Sequence, residues 1–238
     1  MLVKSRLRGC FLKNFAWTVV LALLAVSAAR AEERKIKPFG SLDLFAPGNG
    51  GDGFRDDAQA AVNQLAGAGY SSSGSVETKT AVGGRIGVAT AVNPSLDLGL
   101  SVGYIAGPNS DATVNISGGG LYGVLADQRE VHFVRFLFEP RLNVPINDRS
   151  SFHFGAGLGV AQGTVEDTFT CSGSACLTSG QKTSSTWSGF TWEVSPYLSF
   201  GNLTFGLRYA AFPPFKGSSN NHAKMDWSTI GFFAGFEF

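Results

Sequence analysis

The stretch Leu96-Asp97-Leu98-Gly99-Leu100-Ser101-Val102-Gly103-Tyr104 carries an apolar residue at every even position and a small or polar one at every odd position. Successive side chains of a strand point to opposite faces, so this period of two reads as a β-strand with one apolar and one polar face. Just before it, Asn93-Pro94-Ser95 has the chemistry of a tight turn. Before that, Thr78 to Val92 alternates too, with Val82, Ile86, Val88 and Val92 against Gly83, Arg85 and Gly87. Two strands and a turn make a hairpin, and the question becomes how far the pattern extends.

It extends to both ends of the chain. Pro38 to Ala46 sets Leu42 and Leu44 against Ser41 and Asp43, and a later run sets Val134, Phe136, Phe138, Leu142 and Val144 against Arg135, Glu139, Arg141 and Asn143. Phe152, Phe154, Leu158 and Val160 oppose His153, Gly155, Gly157 and Gly159, and Phe190, Trp192, Val194 and Leu198 oppose Thr191, Glu193 and Ser195. Leu203, Phe205, Leu207 and Tyr209 then face away from Thr204, Gly206 and Arg208, and Ile230, Phe232, Ala234, Phe236 and Phe238 from Gly231, Gly235 and Glu237. The connections alternate in length: long at 47–76, 107–128, 164–186 and 213–223, short at 93–95, 145–150 and 201–202. Eight such segments predict an all-β fold, a closed antiparallel up-and-down transmembrane barrel. Only closure satisfies every backbone polar group in lipid. Tyr104, Trp192, Tyr209 and Phe238 are candidates for aromatic girdles at the interfaces.

Composition agrees. Hydrophobic residues make 44% of the 238 positions and charged residues 16%, which excludes disorder. A net charge of +1 argues against nucleic acid, which needs concentrated positive charge. Three Cys and two Met leave little room for a metal or redox centre, so no cofactor and no metal is expected. At the start, Lys4, Arg6, Arg8 and Lys13 precede the apolar run Phe15 to Val26, and Ala29-Arg30-Ala31 offers a small-x-small cleavage pattern. Residues 1–31 are therefore expected to be a secretory signal peptide cut between Ala31 and Glu32, with residues 32–238 forming the barrel domain. Removing its basic residues makes the exported chain mildly acidic.

The chain ends Ile230-Gly231-Phe232-Phe233-Ala234-Gly235-Phe236-Glu237-Phe238. With the export signal and the strand pattern, it resembles the small outer-membrane β-barrels of the OmpA and OmpX type. The resemblance is architectural and covers nearly all of 32–238. It implies a bacterial outer-membrane location among lipids and lipopolysaccharide, periplasmic termini and short turns, and four extracellular long connections. It also implies that Ile230, Phe232, Phe236 and Phe238 form the signal read by the barrel-assembly machinery. Such barrels host many functions. The leading expectation is a structural or adhesive role through the loops, with host or cell-surface ligands. The alternative is a narrow gated channel, a small porin. Pro140 and Pro196 depart from the pattern, and a bulge or strand end is expected at each because proline removes a ladder donor. Phe39 and Phe45 share a face with Asp43, so a ten-stranded count stays open.

Inward at mid-depth the alternation places Asp43, Arg85, Arg135, Glu139, Glu193 and Arg208, with Glu193–Arg208 the favoured pair across the Gly201-Asn202 turn. Buried charges persist when paired, so the six read as a self-neutralising network that fills the barrel, or as a gate if partners switch. Inward glycines leave room for large side chains opposite or for water. In the first long connection, Phe54 to Gly67 reads as a helix, with Asp52 or Asp56 as cap and Ala58, Ala61, Val62 and Leu65 on one face, lying over the mouth, on the rim or inside as a plug. Cys171 and Cys176 are expected to form a structural disulfide at a loop tip.

Enzymatic activity is not expected. Outer-membrane lipid A deacylases have barrels of similar size and use a His and a Ser two residues apart on one lipid-facing strand. Here His132 is followed by Val134, His153 by Gly155, and His222 stands after Ser218 and Ser219 without that spacing. No nucleophile, base and orienting group come together from these positions.

Overall fold

A computed structural model describes residues 36–46, 50–107, 109–174, 176, 180–214 and 227–238. The strands are β1 (Ile36–Phe45), β2 (Ser71–Thr78), β3 (Ala81–Asn93), β4 (Leu96–Ala106), β5 (Ser110–Gly118), β6 (Leu121–Asn147), β7 (Ser150–Ser172), β8 (Gln181–Phe200), β9 (Leu203–Ala211) and β10 (Thr229–Glu237). One helix, α1 (Gly50–Gly67), lies between β1 and β2. All pairings are antiparallel, and a ring of 8 strands closes in the order β1, β3, β4, β6, β7, β8, β9, β10, with β10 back on β1.

The short turns are local chemistry. In two of them an asparagine side chain closes the turn: Ser95 N donates to Asn93 Oδ1 at 2.9 Å, and Arg149 N to Asn147 Oδ1 at 2.9 Å. In the third, Gly201 takes φ 59°, the left-handed region that a side chain disfavours. Bulges fall beside the first two turns, between Ala91 and Asn93 and between Pro145 and Asn147.

Pro140 and Pro196 correct the expectation of a bulge or strand end. β6 and β7 keep one register from Val124↔Ser172 to Leu142↔Phe154, and only the pairs at 139 and 140 drop out. Pro140 still pairs with Leu98, and Pro196 with Phe154, while β8–β9 loses its pairs only at 195 and 196. Each ring strand has a neighbour on both sides. The missing donor therefore breaks one ladder while the other holds the strand in line.

β2 and β5 answer the question of strand number. β6 pairs with β4 from His132 to Leu142, then takes β5 as its partner from Leu121 to Arg129. β5 carries β2 on its far side. β7 and β8 continue alongside β6, pairing out to Phe169↔Gln181. β2, β5 and the outer lengths of β6, β7 and β8 thus form an open sheet projecting from one end of the ring. The regions 107–128 and 164–186, expected as loops, are largely strand.

α1 starts at Gly50, so Asp56 lies inside it and is not its cap; the Asp52 side chain lies outside the described residues. Ala58, Ala61, Val62 and Leu65 form the half-buried face. Ser72 Oγ donates to Val62 O at 2.8 Å, and α1 packs on β2 and β5. It covers Ala112, Val114 and Ile116, which the β5–β6 register places on the same side as the lumen-facing residues of β6. The helix therefore lies against the lumen-side face of the projection.

Candidate functional site

Three features are candidates for function: the lumen, the outer wall and the projection. The lumen is filled in layers. At the end from which the projection rises, Phe45, Ile105, Val131, Phe133, Phe212 and Trp227 form an apolar cluster with Ala81, Ala161, Val165 and Ala210. Phe133 is its hub, stacked on Phe212 at 4.3 Å between centroids and edge-on to Trp227 at 6.3 Å and Trp187 at 5.7 Å. Trp227 and Phe133 are almost fully buried. Phe45, which spoiled the alternation of β1 by sharing a face with Asp43, belongs to this cluster.

Below it lies the charged layer, in which Asp43, Arg85, Arg135, Glu139, Glu193 and Arg208 are all buried. Glu193 is the centre: Arg85 Nη1 donates to its Oε1 at 2.5 Å and Arg135 Nη1 to its Oε2 at 2.5 Å. Arg208 Nε stands 3.4 Å from Glu193 Oε1. Its close partner is Asp43, through Nη1 and Oδ1. The favoured Glu193–Arg208 pair is thus the weaker contact of both residues. Strand adjacency suggested it, but long arginine side chains reach across the lumen to strands that are not neighbours. Glu139 takes Arg85 at 3.0 Å, Arg141 at 3.0 Å and the Ser101 hydroxyl. Arg141, left out of the sequence-read set, extends the network to Glu237 at 3.7 Å.

The third layer lies at the short-turn end. The Arg141 guanidinium sits 3.7 Å from the Phe39 ring centroid, a cation–π contact that accounts for an inward Phe39 beside charged groups. Arg208 lies over Phe233 at 4.3 Å. His153 stacks on Tyr197 at 4.5 Å and shares a hydrogen bond with Ser199 Oγ at 2.9 Å. This brings a His and a Ser together, a pair that strand spacing hid because they sit on neighbouring strands. His153 Nδ1 has no hydrogen-bond partner among the described residues, so no third group completes a nucleophile, base and orienter set there. A pocket of about 20 Å³, room for a water molecule, opens among Phe39, Arg141, Tyr197 and Phe233.

The inward glycines make room for side chains. A Cβ at Gly103 would stand 3.0 Å from Arg135 Nε, one at Gly157 2.7 Å from Glu193 Cγ, and one at Gly155 2.7 Å from Ser195 Oγ.

The outer wall is apolar over the ring. Leu42, Ile86 and Phe232 are exposed by 76%, 71% and 70% among the described residues. Ile230, Phe236 and Phe238, of the sequence-read assembly signal, also face outward. The apolar wall gives way over two rows. Phe136, Val160 and Phe190 are in register and apolar; the next outward row, Val134, Gln162 and Ser188, is mixed; and His132, Thr164 and Thr186, four residues further out than the first row, are all polar. Just beyond that row the outward residues are Glu130, Glu166, Thr168, Lys182 and Ser184, and apolar ones return only further out on β6, at Val124 and Tyr122. Tyr104 stands at the change, its hydroxyl 3.1 Å from His132 Nδ1.

The projection's outward face carries ion pairs of Lys79 with Asp111 and of Lys182 with Glu166, both at 2.6 Å. The hydrogen bond to Lys182 holds the Glu166 carboxyl below its ordinary value, and the one to Asp111 raises Lys79. On the other face Arg129 pairs with Asp167 at 2.6 Å. Cys171 and Cys176 are bonded to each other at the end of β7. Ala31, Glu32, Ser218, Ser219 and His222 lie outside the described residues.

No protein-family model matches the chain, and neither does any curated protein. Solved structures do. Ail, the attachment invasion locus protein of Yersinia pestis, aligns at 12% identity and TM-score 0.38, over 84% of this chain and 98% of its own. The neisserial surface protein NspA aligns at 9% and 0.40, over 85% and 97%. The outer-membrane protein OprG of Pseudomonas aeruginosa aligns at 10% and 0.35, over 85% and 95%. The likeness is one of fold. These are small outer-membrane barrels, the kind the sequence resembles, and the eight-stranded closure itself stands on this chain's own pairings.

Proposed function

We propose that this protein is an integral barrel of a bacterial outer membrane whose sealed ring anchors a projecting sheet and helix that make contact at the cell surface. The observation that carries this reading is the filled lumen. Aromatic, charged and mixed layers occupy it from end to end, with glycines placed opposite Arg135 and Glu193. An eight-stranded ring is just wide enough for such filling.

The membrane location is supported by the apolar wall and its end within two register rows, because a protein in water does not leave so continuous an apolar belt bare. In this reading residues 1–31 are an export signal cut between Ala31 and Glu32, and the terminal strand carries the assembly signal. The projection is extracellular, and both termini and the short turns are periplasmic. Outer-membrane lipids and lipopolysaccharide surround the ring, and the ligand is a molecule on a host or another cell. Catalysis and a cofactor have no part in it.

Conductance of the refolded protein in a planar bilayer tests the seal. Silence is expected, both for the native chain and for Arg208→Ala, since the apolar cluster stays in place. Steady openings in either would overturn the seal in favour of the gated channel. The surface role is tested by cell binding of bacteria displaying the protein with and without residues 110–129 replaced by a short turn. Equal binding by both would remove the projection as the contact.

A further inference from the structure

Tyr122 and Val124 stand in line on the outward face of β6 at the far end of the projection, exposed by 66% and 38%. Tyr122 lies ten residues beyond His132, roughly 33 Å along a strand that rises about 3.3 Å per residue. The register sets Ser117 and Asn115 of β5 beside the pair, and Ser172 of β7 beside Val124. Among the described residues no outward side chain of these two rows is charged. The nearest outward charges are Asp111, Glu77 and Lys182, level with Gln128. The backbone of Tyr122 is clamped: Ser174 Oγ accepts from Tyr122 N at 3.0 Å and donates to Tyr122 O at 3.3 Å. The Cys171–Cys176 bond closes the segment that carries Ser174. Gly173 makes the close approach possible, since its φ is 108° and a Cβ there would stand 2.5 Å from Tyr122 O.

Resting on the contact role proposed above, we infer that this face binds a neutral oligosaccharide of another cell's surface, with one pyranose ring stacked on Tyr122. The C–H face of a pyranose is apolar and packs on an aromatic ring, while the hydroxyls around its edge need both donors and acceptors. Asn115, Ser117 and Ser172 supply both, and a tyrosine set among Ser and Asn gives rigid contact area beside adaptable hydrogen bonding. Charge excludes acidic sugars. A sulfate or carboxylate calls for a cation, and the outward lysines of the projection are already paired, Lys79 with Asp111 and Lys182 with Glu166, both at 2.6 Å. The clamp serves the same end. A platform fixed before the ligand arrives loses less freedom on binding, so the disulfide acts as a positioning element for Tyr122. Its distance from the His132 row puts the ring at the part of the projection that another cell meets first.

The test applies the full barrel in nanodiscs, its fold confirmed by a heat-modifiable gel shift, to an array of neutral, sialylated and sulfated oligosaccharides. Retention on neutral sugars is expected. Tyr122→Ala should weaken it about tenfold, the loss of one stacked ring, while Tyr122→Phe keeps it. Dithiothreitol should weaken binding by the native protein and leave the residual binding of Tyr122→Ala unchanged, because both act through the same ring. No retention, retention on acidic sugars alone, or equal retention by Tyr122→Ala overturns the site. Competition by lipopolysaccharide purified from the displaying bacteria overturns the partner, since the sugar would then belong to the protein's own membrane. The same variant on displaying bacteria separates this inference from the reading it rests on. Cell binding that needs residues 110–129 but not the Tyr122 ring refutes the inference alone, whereas cell binding that needs neither refutes both.

Discussion

Strand β7 belongs to two environments, and the difference is plainest on its outward face. From Phe152 to Val160 its outward residues are Phe, Phe, Ala, Leu and Val; from Gln162 to Thr170 they are Gln, Thr, Glu, Thr and Thr. Pairing with β6 and β8 runs through both halves in one register. The backbone does not change at the boundary; only the solvent for which the outward face is built does. The ring must satisfy its ladders by closure, because lipid offers no hydrogen bonds. The projection can remain an open sheet, because water serves its edges. β2 and the outer length of β8 are such edges, and each is rich in Ser and Thr.

The contrast predicts very unequal effects of comparable changes. The largest is expected in the ring's charged layer. Glu193→Ala removes the carboxylate shared by Arg85 and Arg135; Arg85 keeps Glu139 at 3.0 Å, but the buried Arg135 is left with Asp43 at 4.0 Å, at a cost of about 3–5 kcal/mol. The midpoint of urea unfolding, followed by heat-modifiable gel mobility, should fall accordingly. Glu166→Ala in the projection also breaks an ion pair, but an exposed one, and its midpoint should stay at the native value. Equal shifts for the two variants would contradict the division into a sealed ring and a solvated projection.

Next in size is an arginine scan along β7. Leu158→Arg places a cation on the lipid face near mid-depth and should cost about 2–4 kcal/mol in lipid vesicles. Thr168→Arg, ten residues on and on the same outward face, should cost nothing measurable. A similar cost at both positions would mean that the row through His132, Thr164 and Thr186 does not mark the interface. The scan would place the true boundary at the first tolerant residue.

What the sequence made legible follows from this same contrast. Alternation marks the ring because its two faces meet lipid and lumen, so Leu42 and Asp43 could be assigned to opposite sides from the pattern alone. β5 does alternate, Ala112, Val114 and Ile116 against Asp111, Thr113 and Asn115, but only over a short run between Gly107 and Gly118. In β2 both faces carry small polar residues, as in Ser71-Ser72-Ser73-Gly74-Ser75, and the same geometry leaves no signature. Thr164 to Thr170 read as loop for that reason, although its threonines and Phe169 favour strand. The apolar cluster was hidden differently. Phe212 and Trp227 lie outside the alternating runs and join Phe45, Ile105 and Phe133 only when the ring closes. The charged residues were legible as a set, but their partners were not, since an arginine spans the lumen and pattern reports only neighbouring strands.

Reducing the Cys171–Cys176 bond should have a smaller and purely local effect. The bond closes a short segment at the end of β7, far from the ring, and a small closed loop removes little entropy from the unfolded chain. Dithiothreitol is expected to speed proteolysis between residues 171 and 181 while leaving the urea midpoint of the ring unchanged. A fall in that midpoint would show that the tip supports the barrel.

The smallest effect expected is a pH dependence confined to the projection. Glu166 accepts a hydrogen bond from Lys182, which holds its carboxyl below the ordinary value of 4.5. A carboxyl whose pKa is lower folded than unfolded stabilises the folded state above the unfolded value and loses that contribution as pH falls through the folded one. Lys79, raised by Asp111, and Lys182, raised by Glu166, act at the other end of the scale, and their contributions fade only as pH climbs past the ordinary lysine value of 10.5. Between these limits the projection should keep constant protection. As pH falls below the ordinary carboxyl value of 4.5, backbone amides of 164–170 and 181–186 should exchange faster, after correction for intrinsic rates, while those of 152–160 do not change. Both pairs are exposed and screened by salt, so the effect should shrink as ionic strength rises. If acid instead released the amides of 152–160 together with the outer ones, the two halves of β7 would be one cooperative unit, and the projection could not move independently of its anchor.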